Sequence, residues 1–155
     1  MTPGFQSYMQ EVATAGNSYI KDISQFSPSD IREGIQALVT EDKMDLAQAL
    51  CDAGISLYPE SEDILAIAGL LAITRMDWPL AIELLTDLCT VQKGLITPMT
   101  YQMLARSLWC NLDLSQARDV IGQGLKAYPG HATLLAEQAE MAVAENAMPA
   151  NLSHN

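Results

Sequence analysis

Positive charge is scarce in this chain of 155 residues: eight Lys and Arg stand against 19 Asp and Glu, leaving a net charge of −11. A phosphate backbone is held by clustered cations, so this balance argues against nucleic acid as a partner. It argues equally against an anionic membrane surface. Aromatic residues make up only 6%. The three cysteines, Cys51, Cys89 and Cys110, are an odd, widely spaced set without a CxxC pair. That is the usage of reduced thiols serving as small core residues, not of a disulfide framework or a zinc site. No apolar run approaches the roughly 18 residues of a membrane-spanning helix. Polar and acidic residues (Gln6, Gln10, Glu11) stand where a secretory signal would need a basic start and an apolar stretch. The expectation is therefore a cytoplasmic protein, not one exported by that route.

Sites of chemistry are also missing. No glycine-rich phosphate loop appears, and Asp and Glu occur singly along apolar-periodic segments, as on solvated faces. His131 sits at a turn and His154 in the tail, and neither falls at a ligand or nucleophile spacing from a cysteine or carboxylate. A thiol enzyme using Cys89 or Cys110 with His131 has no support beyond the residues existing. The expectation is no enzyme, no cofactor and no metal.

What is present is apolar content, 49% of the residues, enough for a core without cross-links. Its arrangement is helical. Ser27 to Pro59 reads as a helix with Ile31, Ile35, Leu38 and Val39 on one face, a polar turn over residues 40–43, and a second helix from Met44 ending at Tyr58-Pro59. This unit recurs. Ala47, Ala81 and Ala117 fall in register, spaced 34 and then 36 residues, each preceded at three residues by a large apolar side chain, Met44, Trp78 or Leu114. Pro59 and Pro129 lie 70 apart in matching contexts, Gly54 to Pro59 and Gly124 to Pro129. A period near 34 residues with two helices per unit is the mark of stacked helical hairpins.

On these residues the sequence resembles the tetratricopeptide repeat (TPR) family. Its pattern of large, small and proline positions is met by Ile31, Gly34, Leu38, Ala47, Gly54 and Pro59 in repeat one (28–61). Tyr101, Ala105, Leu108, Ala117, Gly124 and Pro129 meet it in repeat three (98–131). Repeat two (62–97) matches with Leu65, Gly69, Ala72 and Ala81, and departs with Leu88 at a small position and Lys93 at the proline position. Two extra residues fall near Gly94 to Pro98. The resemblance implies an all-α fold, a right-handed superhelical array of three hairpins. An amphipathic N-terminal helix over 3–24 and a capping helix over 131–147 complete a single domain, 1–147. Glu137, Glu140 and Glu145 suit the solvated face of that cap. Residues 148–155, polar with little to bury, are expected to be disordered.

The resemblance also implies a protein-binding role, with the first helix of each hairpin lining a concave groove. The residues placed there are Arg32, Gln36 and Val39 from repeat one, Ala66, Leu70 and Ile73 from repeat two, and Met99, Gln102, Met103, Arg106 and Trp109 from repeat three. A clamp for an acidic chaperone tail would need cations and Asn where Gln36, Ile67, Met99 and Met103 stand. The apolar centre instead suits an apolar peptide or amphipathic helix, because methionines adapt around an aromatic anchor. Size, acidity and repeat number are similar to those of the small TPR chaperones of bacterial type III secretion systems. The alternative is a structural subunit or homodimer using the N-terminal helix as its interface.

Overall fold

A computed structural model describes residues 23–147, together with Ser7. The expected N-terminal helix and the expected disordered tail lie outside the described residues, apart from the 3₁₀ turn at residues 23–25. The described residues form seven α-helices and no strand: α1 (Pro28–Thr40), α2 (Met44–Leu57), α3 (Glu62–Thr74), α4 (Trp78–Val91), α5 (Pro98–Cys110), α6 (Leu114–Ala127) and α7 (Ala132–Ala147). The chain divides within α3, between Leu71 and Ala72, into two compact units.

Each helix starts and stops for local reasons that repeat along the chain. Ser27 and Thr97 cap α1 and α5, their hydroxyls accepting from the amides of Asp30 and Thr100, with proline next in the first turn. Ser61 accepts from the amide of Ile64 in the same way. The second helices are capped by Asp77 and Asp113, while Lys43 at the aligned position makes no side-chain cap.

The turns inside the hairpins share one geometry. Asp42, Met76 and Leu112, spaced like the aligned alanines, all adopt left-handed backbone, with φ of 60°, 58° and 65°. In each turn two amides reach back to helix carbonyls. Asp42 and Lys43 donate to Val39 and Leu38, Met76 and Asp77 to Ile73 and Ala72, and Leu112 and Asp113 to Trp109 and Leu108. These paired bonds are the Schellman arrangement, which satisfies the last carbonyls of a helix. Non-glycine residues in this region cost about 1–2 kcal/mol each. All three side chains point to solvent.

In the first unit α2 packs on α1, and Gly54 brings it close to both neighbouring helices. A Cβ there would lie 3.3 Å from Ile31 of α1 and 3.2 Å from Ile64 of α3. The core comprises Ile31, Ile35, Ala47, Cys51, Ile64 and Leu65, all essentially inaccessible. In the second unit Gly124 repeats the close approach 70 residues later, its Cβ position 3.0 Å from Tyr101 of α5 and 3.2 Å from Leu134 of α7. Ala81, Leu85, Leu88, Ala105, Ala117, Ile121 and Leu134 are buried.

The Tyr-Pro ends of the hairpins have a specific task. The Tyr58 hydroxyl donates to the carbonyl of Phe26 (2.7 Å), and the Tyr128 hydroxyl donates to that of Ile96 (2.8 Å). Each bond ties the end of a hairpin to the residue just before its first N-cap. Repeat two has Gln92 at the aligned position, and Gln92 turns forward instead. Its Oε1 accepts from the Thr100 hydroxyl (2.8 Å) and the Thr97 amide (3.4 Å). The linker here runs over six residues, 92–97, against four in 58–61 and 128–131, and includes Gly94 at φ 105°. Leu88, buried where the other repeats have glycine, needs more room than a hydrogen atom does.

Candidate functional site

The side chains expected to line a binding surface fall on α1, α3 and α5. On α1, Arg32 and Val39 are half-buried and Gln36 is exposed; on α3, Ala66 is half-buried and Leu70 is 46% exposed. In the second unit Ile73 is half-buried, as are Gln102, Met103 and Trp109 on α5, whereas Arg106 is exposed and Met99 is 64% exposed.

Helical spacing puts Met99, Gln102, Met103, Arg106 and Trp109 on one side of α5. α7 lies against that side, anchored by polar contacts. Glu137 Oε1 accepts from Arg106 Nη2 (2.6 Å) and from Gln102 Nε2 (3.1 Å), and Arg106 also reaches Glu140 Oε2 (3.1 Å). The Arg106 pKa is held above its ordinary value, chiefly by the hydrogen bond to Glu137, with burial opposing. Arg32 has an equivalent arrangement in the first unit, pairing with Asp63 of α3 at 2.8 Å. In both units, then, a first-helix guanidinium is held by a carboxylate 31 residues on.

These contacts correct one expectation. Glu137 is not on a solvated outer face; its residue exposure is 5%, because α7 turns it toward Arg106 and Gln102. Glu145 is largely covered as well, paired with Arg118 of α6 (3.1 Å). Only Glu140 remains mostly open to solvent. Sequence reasoning also passed over Val143, which is 71% exposed on α7. It stands twelve residues after His131, as Trp109 stands twelve after Thr97, so the repeat register itself carried the signal.

The thiols are unbridged, and burial followed by the charge of Asp52 pushes the Cys51 pKa up to about 12. Burial also raises that of Cys89. Among the described residues, no group of three or more His, Cys, Asp or Glu is gathered so as to hold a metal. No helix among them is long and apolar enough to cross a membrane.

The helical architecture is that of TPR-like proteins. A Podosopora anserina protein assigned as a kinesin light chain, with nearly identical TPR-like repeats, aligns at a TM-score of 0.67 and 17% identity, covering 92% of this chain and 74% of its own. MamA RS-1, as an ArsTM double mutant, aligns at a TM-score of 0.59 and 12% identity, covering 94% of this chain and 95% of its own. At these identities the likeness establishes the fold, and the chain has a TPR-like fold. No family model matches the sequence, and no curated protein does.

Proposed function

We propose that this chain is a non-catalytic protein-interaction module that takes an apolar peptide or amphipathic helix on the face formed by α5 and α7. One observation carries the reading: in the second unit Met99 and Val143 are large apolar side chains exposed on α5 and α7, which are held together by the Arg106–Glu137 pair. They occupy the second and twelfth positions after Thr97 and His131; the TPR resemblance assigns those positions of a repeat's first helix to the ligand side, and α7 continues the register. Covering these two side chains would contribute on the order of 3 kcal/mol before the cost of ordering a partner. The acidity of the chain keeps a protein with such a surface dispersed. It also fits the narrower role of a cytoplasmic chaperone that holds an apolar partner before secretion.

The test is a labelled, uncharged amphipathic peptide with a leucine stripe and glutamine elsewhere, titrated with the chain and followed by fluorescence anisotropy. Met99→Glu and Val143→Glu replace exposed side chains, so both variants should keep their helix content. Each is expected to weaken binding at least tenfold. Full-strength binding by both folded variants refutes the assigned face. For the chaperone role, a pull-down from the native cell should recover a partner that is insoluble alone. If the captured partners are soluble without this chain, the chaperone role is wrong.

A further inference from the structure

Two arginines stand among the expected binding residues, Arg32 in the first unit and Arg106 on the α5–α7 face of the second, and their state bears on what can be recognised. Arg32 is already paired with Asp63, and Arg106 is bound by both Glu137 and Glu140. A ligand carboxylate approaching Arg106 would meet Glu137 and Glu140 already gathered on Nη2, two like charges against one guanidinium. The face is therefore not a receptor for acidic groups.

Beside this closed cluster lie features of the opposite preference. Glu140 is two-thirds exposed and shares with Glu137 the single guanidinium of Arg106, so the α5–α7 face carries more negative charge than positive. Around it, Met99 and Val143 are exposed, with Met103 and Trp109 half-buried on the same side of α5. The wider charge points the same way. Residues 23–71 carry nine carboxylates against Arg32 and Lys43, and Lys43 too is paired, with Glu41 at 2.7 Å. A net charge of −11 draws cationic segments in and holds anionic ones off.

We propose that the occupant of the α5–α7 face is a basic amphipathic helix of another protein. Its apolar stripe lies on Met99, Met103, Trp109 and Val143, and a Lys or Arg on its flank meets the open carboxylate of Glu140. This rests on the interaction reading above and narrows it to one chemistry.

Three 18-residue peptides with one leucine stripe and Lys, Gln or Glu at every polar position separate the two claims. Binding is measured by anisotropy in low and high salt. The Lys peptide should bind at least tenfold tighter than the Gln peptide in low salt, with the gap closing as salt rises. The Glu peptide should bind weakest. Equal binding of the Lys and Gln peptides, or preference for the Glu peptide, overturns the basic-partner inference and leaves the interaction module standing. Failure of all three overturns the module itself. Glu140→Lys should remove most of the Lys-peptide preference. Asp119→Lys, an equal charge change at an exposed position on α6, should leave most of it. Equal losses in the two variants would mean that net charge alone attracts the peptide, and the assignment to this face would fall.

Discussion

Three glycines in the second helices of the hairpins provide a graded test of the packing. Each Gly→Ala change gains about 1 kcal/mol of helix propensity, so the sign of the total depends on what the new methyl meets. At Gly122 it meets nothing within 4 Å, and the full gain of about 1 kcal/mol should appear. At Gly54 the nearest atoms are the Cδ1 of Ile64 at 3.2 Å and the Cγ2 of Ile31 at 3.3 Å. Both are methyl groups, and the first is a chain end that can give by a few tenths of an ångström, so the result should be close to neutral. At Gly124 the methyl meets Cγ and Cβ of Tyr101 at 3.0 and 3.1 Å, the root of the side chain and not its free end, and Leu134 Cδ1 at 3.2 Å. Overpacking of this kind costs about 1–3 kcal/mol, leaving a net loss of up to about 2 kcal/mol after the propensity gain. Urea unfolding followed by helical ellipticity should therefore rank Gly122→Ala above wild type, Gly54→Ala near it and Gly124→Ala below. If Gly124→Ala stabilises as much as Gly122→Ala, the close approach of α6 to α5 and α7 is wrong.

Other perturbations address the repeat itself. Tyr58→Phe and Tyr128→Phe each remove one hydrogen bond to a carbonyl 32 residues back, and each should cost about 1 kcal/mol in the same urea assay. The sites are far apart in sequence and share no partner, so the double variant should show the sum. Lys43→Asp supplies the cap that Asp77 and Asp113 provide at the aligned positions and removes a cation from a helix start, for a gain of about 1 kcal/mol. An unchanged midpoint would count against the alignment of the three turns. Cys51 should make the fold alkali-sensitive. Its folded pKa is raised to about 12, so the unfolded chain loses this proton first, and stability falls as pH climbs from about 9 to about 12. Cys51→Ala should show a smaller loss over that range, and the Cys51 thiol of the native protein should react with a thiol reagent only as fast as the chain opens. Prompt labelling in native buffer would contradict its burial.

Much of the architecture is visible in residue spacing because a helical hairpin is a local object. The alanine register, the Ser-Pro and Thr-Pro starts and the Tyr-Pro ends each mark a boundary within a few residues of themselves. The left-handed residues were harder to see. Met76 and Leu112 are not turn formers by composition, and only their position two residues after a helix end requires φ near 60°. Gln92 was likewise opaque, since its value as a hydrogen-bond acceptor depends on the linker that returns Thr97 and Thr100 to it.

The candidate face was legible only in outline. Helical register could mark Leu70, Met99 and Trp109 as sharing one kind of position, because that depends on 3.6 residues per turn alone. It could not tell that Arg32 and Arg106 are already occupied, or that Glu137 is turned inward. Each of those facts joins side chains 31 to 35 residues apart, and whether they meet depends on how closely consecutive first helices pack. The chain's own order of residues thus determined the repeat, the helices and their caps, since those energies act between near neighbours. Tertiary packing alone decided which charges on those helices are paired, because Arg32 with Asp63 and Arg106 with Glu137 meet only across neighbouring helices.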